Sequence, residues 1–300
     1  MIRKILFFIN PISGTKMKSG LERKIRKTCE EDNTDYEILF TSEDGDYSFL
    51  QEKIQTEKIT DIIICGGDGS IRSIISMILN MDVHIGIIPL GSGNGLARTA
   101  GIPNSIDEAI DVVRKGNPIL SDVFFINDKL SAHVCGIGLD AKVAHDFSKQ
   151  KKRGLQSYTK LALKNFMTAK SYPFTVEADG KKLNVEAFLI CVANSNQFGN
   201  NIKIAPKASI RDGLLDIVII KKTSKRKIVL SFIKQIFYGK IQDFTSNDFD
   251  KKNILYFQTK KIKIVNPDLA PLHIDGDPKE TSKEFSIEIL PNAYKLIYPL

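Results

Sequence analysis

Over roughly the first 120 residues, short β-branched apolar runs alternate with segments whose apolar positions recur three and four apart. Residues 2–9 read as a strand ending in the turn cluster Asn10, Pro11, Ile12, Ser13 and Gly14. A basic helix is expected over about 18–32, a strand over 36–40 ending at Thr41, and a helix over about 46–57. Asp61 to Cys65 is a strand apolar enough to be covered on both faces. Ile71, Ile74, Ile75, Ile78 and Leu79 then mark a helix over 71–80, followed by a strand at 83–88 and a helix at 105–115. Strands that alternate with helices, each strand ending in a Gly/Ser/Asn loop, predict a doubly wound parallel sheet.

From about residue 123 the pattern changes to consecutive β runs: 123–127, 130–136, 173–179, 182–194, 214–220, 254–257, 261–265 and 284–289. Helices interrupt them at about 153–168 and 225–238. The fold class is therefore α/β: a nucleotide-binding-type sheet over 1–122, then a β-rich sandwich over 123–289. The apolar tail, about 290–300, is expected to return to the first unit.

Ligands of parallel sheets bind where strands end, so the 10–14 loop, Gly66-Gly67-Asp68-Gly69-Ser70 and the loop with Ser92, Gly93 and Asn94 should converge on one crevice. Glycines bring bare N–H groups close to a ligand, and a helix N-terminus favours an anion such as phosphate. Asp68 suits a bound Mg²⁺ or a proton to be accepted; a simple helix N-cap is the plainer alternative.

Composition narrows the choice. A hydrophobic fraction of 42% and a charged fraction of 26% suit a soluble globular chain. Cys29, Cys65, Cys135 and Cys191 show no CxxC spacing, and three lie in apolar runs, so reduced buried thiols are expected. No apolar run approaches a membrane span, and the start of the chain lacks a signal-peptide pattern, which predicts a cytoplasmic protein. The net charge of +8 concentrates in runs at 149–153 and 221–227. These are solvated faces or contacts to an anionic membrane surface. Neither has interleaved aromatics and Trp is absent, which argues against nucleic acid.

A Walker A loop and a GxSxG elbow are absent. Gly136 to Ala141 matches GxGxxA, but residues 156–161 supply no ribose-binding carboxylate, so a dinucleotide site is rejected. His84, His133, His145 and His273 lack metal-ligand spacing and are read as structural or surface residues. Asp275 and Asp277 flank Gly276 and would repel each other unless a cation or a proton sat between them; the alternative is a hairpin turn. Asp212 beside Gly213 carries the same ambiguity between metal ligand and turn.

NPISG, GGDGS and PLGSGN, in this order, resemble the diacylglycerol kinase catalytic domain, the family of bacterial diacylglycerol and YegS-like lipid kinases, sphingosine kinases and ceramide kinases. The resemblance continues through Gly136–Ala141 (GxGxDA), Gly154–Tyr158 (GxLxY), Asn194 to Asp216 (ending DGLLD) and Asp275–Asp277 (DGE). It implies a lipid kinase with ATP in the cleft between two domains. ATP contacts would come from Asn10, Pro11, Ile12, Ser13, Gly14, Thr41, Gly66, Gly67, Asp68, Gly69, Ser70, Ser92, Gly93 and Asn94. It further implies catalytic roles for Asp68, Asp275 and Asp277, the last standing where the family has its proton-accepting Glu. Asp212, the carbonyl of Leu214 and Ser209 match a structural Mg²⁺ site, and Asp68 with Asp122 a catalytic Mg²⁺ network.

Two motifs depart from the pattern, at three positions. The family's GGDGTxNE becomes Gly66 to Ser73 with Arg72 for Asn and Ser73 for Glu, and Asp277 shortens DGE by one methylene, roughly 1.5 Å of reach. The reading is an ATP- and Mg²⁺-dependent lipid kinase acting on diacylglycerol first and a sphingoid base next. It would work from the cytoplasm at the inner membrane face, and bacterial members are often homodimers. A nucleotide-binding regulatory protein without turnover and an NAD kinase-like enzyme are the alternatives.

Overall fold

The computed structural model describes residues 3–13, 18–42, 45–150, 155–199, 202–223 and 253–300. Gly14, the basic residues Lys151, Lys152 and Arg153, and the helix expected at 225–238 lie outside the described residues.

The first half runs β1 (Lys4–Ile9), α1 (Lys18–Glu31), β2 (Asp35–Phe40), α2 (Leu50–Glu57), β3 (Asp61–Gly66), α3 (Asp68–Ile78), β4 (His84–Pro89), α4 (Gly95–Thr99), α5 (Ile106–Lys115) and β5 (Asn117–Ile126). The β-branched runs form a parallel sheet in the order β2-β1-β3-β4. Every residue of β3 is buried, because helices cover both faces. Ile71, Ile74, Ile75 and Ile78 form the buried stripe of α3. In α5, Asp107 and Glu108 open the helix while Arg114 and Lys115 close it, matching charge to the helix dipole.

The second half adds β6 (Lys129–Ser131), β7 (Val134–Gly138), α6 (Leu139–Ser148), α7 (Leu155–Thr168), β8 (Tyr172–Ala178), β9 (Lys181–Ala193), β10 (Gln197–Gly199), β11 (Ile202–Lys203), β12 (Leu215–Lys221), β13 (Ile254–Thr259), β14 (Lys261–Val265), β15 (Leu272–Ile274), β16 (Asp277–Lys279) and β17 (Glu284–Tyr298). Its pairings are antiparallel, and β9 is long enough to pair with β8 along one end and with β7 and β12 along the other. The second core fills with Phe124, Phe174, Val192, Phe285 and Ile287.

β17 joins the halves. Residues 284–288 pair with β14, 287–298 with β5, and Lys295 and Leu296 with β4 in parallel. Register with β5 shifts between Leu290 and Tyr294, an irregularity that lets one strand serve two sheets. Its Phe285 and Ile287 enter the second core, while Leu296 and Ile297 enter the first.

Besides α4, which the sequence pattern does not show, and β17, which runs on to Tyr298 instead of ending near 289, four further differences stand out. α3 starts at Asp68, so half of the glycine motif is already helix. α2 starts later than expected, because the Asp46 carboxylate accepts the Ser48 N–H and holds a turn there. β5 starts at Asn117 because its polar beginning pairs with the end of β17, so residue 122 lies inside a strand. α6 occupies residues read only as the GxGxDA motif. Truncating Leu296 to Ala should cost about 3 kcal/mol. Amide protection should fall together in β3 and in β9; loss confined to the first sheet would show that the halves unfold separately.

Candidate active site

Parallel pairing of β1, β3 and β4 aligns their carboxyl ends, and the three loops meet there. Asn10 binds the first two loops together. Its Nδ2 donates to Ser70 Oγ at 2.8 Å, and its Oδ1 accepts the N–H groups of Ile12 (2.8 Å) and Ser13 (3.2 Å). The second and third loops touch through backbone. A Cβ on Gly91 would lie 2.7 Å from both Gly67 Cα and Asn94 Oδ1, so glycine is required at this crossing. Asn94 holds the turn into α4 with φ +50°.

Asp68 does not cap its own helix, whose N-cap is Gly67. Its two oxygens instead accept N–H groups from the start of α4, Gly95 to Oδ2 and Leu96 to Oδ1, each at 3.0 Å. The carboxylate thereby offsets the positive end of that short helix and ties GGDGS to GSGNG. Each oxygen accepts one bond there, leaving lone-pair capacity for a further partner.

The opposite wall is the hairpin β15–β16, where Ile274 pairs with Asp277 across a two-residue turn. Asp275 (φ +51°) and Gly276 (φ +83°) both take the left-handed conformation that such turns require. The turn reading of this segment is the one that the structure shows. Asp275 is buried, with Oδ1 accepting Ser131 Oγ (2.7 Å) and the N–H groups of His133 (3.1 Å) and Val134 (3.0 Å). The Ala132 N–H donates to its Oδ2 at 3.3 Å. Asp277 points the other way. Its Oδ2 accepts Arg72 Nη2 at 2.7 Å, while Arg72 Nη1 donates to the Ile274 carbonyl at 2.8 Å. The expected repulsion across Gly276 is thus relieved by divergence: each acid has its own donors.

Ser13, Asp68, Ser92, Asp275 and Asp277 line one cleft, together with Gly67, Gly69, Ser70 and Gly93. Two residues set aside or passed over in the sequence also line it, His133 and His273. His133 Nδ1 pairs with Ser195 Oγ, while its Nε2 is buried without a hydrogen-bond partner among the described residues. His273 Nδ1 accepts the Gly276 N–H, which leaves the proton on Nε2, 3.5 Å from Asp140 Oδ2. No spacing in the sequence marks these histidines, because His133 lies in the bend between β6 and β7 and His273 on β15, far apart in the chain.

Other expected site residues lie elsewhere. Thr41 is buried beside the first loop, its N–H donating to the Ile9 carbonyl. Asp122 is not among the cleft-lining residues; its oxygens accept the N–H groups of Gly213 and Asn292, both at 2.8 Å. It therefore fixes the 212–214 loop against the C-terminal strand. Asp212 Oδ1 accepts the Leu214 N–H at 3.1 Å, so the turn expected there is present. Burial, and then the nearby charge of Asp122, raise the Asp212 carboxyl above its ordinary range. Ser209 is half-buried just before this loop. Burial likewise raises Asp216 to about 6, against the hydrogen bonds from Tyr256 and Gln258. Lys279, near Asp277, is lowered by burial and by the Arg72 charge.

These donor sets fit the groups that the resemblance implies. Backbone crossing of bare glycines leaves N–H groups open to phosphate oxygens. Asp68 offers carboxylate lone pairs, and Asp212 with the Leu214 carbonyl offers hard oxygen donors of the kind Mg²⁺ takes. The four cysteines are free and buried, and burial pushes the Cys29 thiol up to about 11.

Comparison with known proteins agrees with this geometry. The profile of the diacylglycerol kinase catalytic domain matches residues 4–126, and that of the YegS C-terminal NAD kinase beta sandwich-like domain matches residues 133–298. A "Probable lipid kinase YegS-like" of Shewanella frigidimarina is 28% identical over 258 residues, 84% of this chain and 80% of that one. The "Diacylglycerol kinase" of Bacillus subtilis is 24% identical over 281 residues, 92% and 90% of the two chains. A crystal structure of a diacylglycerol kinase from Bacillus anthracis strain Sterne superposes with a TM-score of 0.76 at 25% identity, covering 99% of this chain and 97% of that one. The chain belongs to the diacylglycerol kinase catalytic-domain family and is an enzyme of its lipid-kinase class.

Proposed function

We propose that this chain transfers the γ-phosphate of ATP to the hydroxyl of a lipid alcohol, with diacylglycerol as the first acceptor and a sphingoid base as the second. The observation that carries this reading is the meeting of three glycine loops with Asp68 and Asp277 in one cleft. The phosphates would lie along the 10–13, 66–70 and 91–94 loops, where N–H groups stabilise negative charge. Asp277 accepts the proton of the acceptor hydroxyl. The hydroxyl oxygen bonds to the γ-phosphorus as its bond to the β-bridging oxygen breaks, releasing ADP. Asp275 positions this group, because its four hydrogen bonds fix the hairpin on which Asp277 stands.

Bound Mg²⁺ supplies charge neutralisation at the phosphates; Asp68 would hold it, and Asp212, the Leu214 carbonyl and Ser209 would hold a structural Mg²⁺. Asp122 would contribute through the 212–214 loop that it fixes. The boundary near residue 122, with the cleft between the two units, belongs to the same proposal.

The acceptor would be met at a membrane surface. Residues 147–176 contain seven basic residues (Lys149, Lys151, Lys152, Arg153, Lys160, Lys164 and Lys170) and no acid. On α7, Lys160, Leu163, Lys164 and Met167 share an exposed face, Leu163 being 54% and Met167 59% exposed. No helix among the described residues is long and apolar enough to cross a membrane. A surface contact, cationic with an apolar centre, suits an anionic leaflet.

Incubation with Mg²⁺–ATP and micelles of diacylglycerol, sphinganine, ceramide or phosphatidylglycerol should give a phosphorylated lipid. Asp68→Ala should lower its formation at least about 100-fold. ATP binding without any lipid product would instead favour a regulatory protein, a reading that the engagement of Asp277 by Arg72 keeps open. For the surface contact, Lys160→Ala with Lys164→Ala should weaken sedimentation with anionic vesicles about 30-fold, at about 1 kcal/mol for each lysine. Equal binding by both proteins would remove α7 from the interface.

A further inference from the structure

Two of the three positions at which this chain leaves the family pattern, 72 and 277, are bonded to each other. They are 205 residues apart, one on the first turns of α3 and the other at the start of β16. Arg72 uses both guanidinium nitrogens on the same hairpin: Nη2 on Asp277 Oδ2 at 2.7 Å and Nη1 on the Ile274 carbonyl at 2.8 Å. Its side chain is 12% exposed and is not among those that line the cleft, whereas Asp277 is 49% exposed and lines it. Arg72 therefore reaches the cleft only through Asp277.

We propose that Arg72 is a positioning residue that compensates for the shortened acid at 277, an inference that rests on the phosphoryl-transfer reading above. An Asp in place of a Glu withdraws the carboxylate by roughly 1.5 Å. The guanidinium fork draws the whole β15–β16 turn toward α3, since it grips the backbone at 274 as well as the side chain at 277. The carboxylate is brought to the bare face of Gly69, where a Cβ would stand only 3.4 Å from Asp277 Oδ2. An Asn at 72 has neither the reach nor the two-pronged geometry for this grip. Conversely, a Glu at 277 held by Arg72 would carry its extra methylene into the Gly69 backbone. Long partner and short acid thus form one unit, and either change alone misplaces the carboxylate.

The test is a double-mutant cycle with R72N, D277E and R72N/D277E, the last restoring both family residues. Each single change should lower kcat at least about tenfold, with KM for ATP within about threefold of the native value. The double change should bring kcat back to within about threefold of the native value. Losses that multiply in the double variant overturn the proposal, as do losses confined to KM. Unfolding midpoints of the same four proteins separate a mere clasp: coupling in stability without coupling in kcat also overturns it. A native chain that phosphorylates no lipid alcohol brings down the function proposed above. The positioning role falls with it, whereas a chain that phosphorylates a lipid alcohol but whose kcat losses multiply in the double variant brings down the positioning role alone.

Discussion

Two hydrogen bonds accepted by one carboxylate hold the two glycine loops in register. Asp68 takes the N–H groups of Gly95 and Leu96, which have no partner within a helix as short as α4. Without that acceptor, two largely buried donors would stand unpaired, at about 1–3 kcal/mol each. The arrangement also explains where glycine is obligatory. Drawing α4 onto Asp68 presses Gly91 against Gly67, and any side chain at 91 would strike backbone. The docking of α4 on Asp68 and the glycine crossing of the two loops thus have one cause.

The other wall of the cleft depends on a different carboxylate. Asp275 is satisfied by the 131–134 segment, so its hairpin is fixed to β7 and the second core. Asp277, two residues on, is fixed to α3 through Arg72. One tight turn therefore bonds both halves of the chain, as β17 does at a distance by pairing with β14, β5 and β4. At this turn the two walls meet through side-chain reach, Arg72 to Asp277, between strands that are each held by pairing.

The parallel half was legible because a sheet covered on both faces writes itself as unbroken β-branched runs: β1, β3 and β4 differ from their sequence limits by a residue or two. The loops that follow them were legible for the same reason. α6 was not. Its buried positions, Leu139 to Ala141 with Val143 and Ala144, form no clean helical stripe, and its glycine-rich entry reads as a loop. The pairings that give the site its chemistry were equally hidden. Asp68 with α4, Asp275 with the 131–134 segment, and Arg72 with Asp277 join segments whose register no local pattern encodes. Hence Asp275 and Asp277 looked like repelling neighbours, although a two-residue turn sends their side chains to opposite sides.

α6 also bears on how an acceptor would arrive. Its Asp140 and Ala144 line the cleft, with Phe147 and Ser148 at its far end, and it packs against α7. The exposed lysines and Leu163 of α7 are therefore one helix removed from the cleft. If α7 rests on an anionic leaflet, a lipid alcohol need rise only past α6 for its hydroxyl to reach Asp277, while its acyl chains stay in the apolar phase. On the proposed reading, Mg²⁺–ATP would meet the glycine loops on the other wall of the same cleft. In that reading, the polarity of the chain, acid-free and basic on α7 but acidic at Asp68 and Asp277, would set a lipid and a nucleotide on different sides of the same cleft.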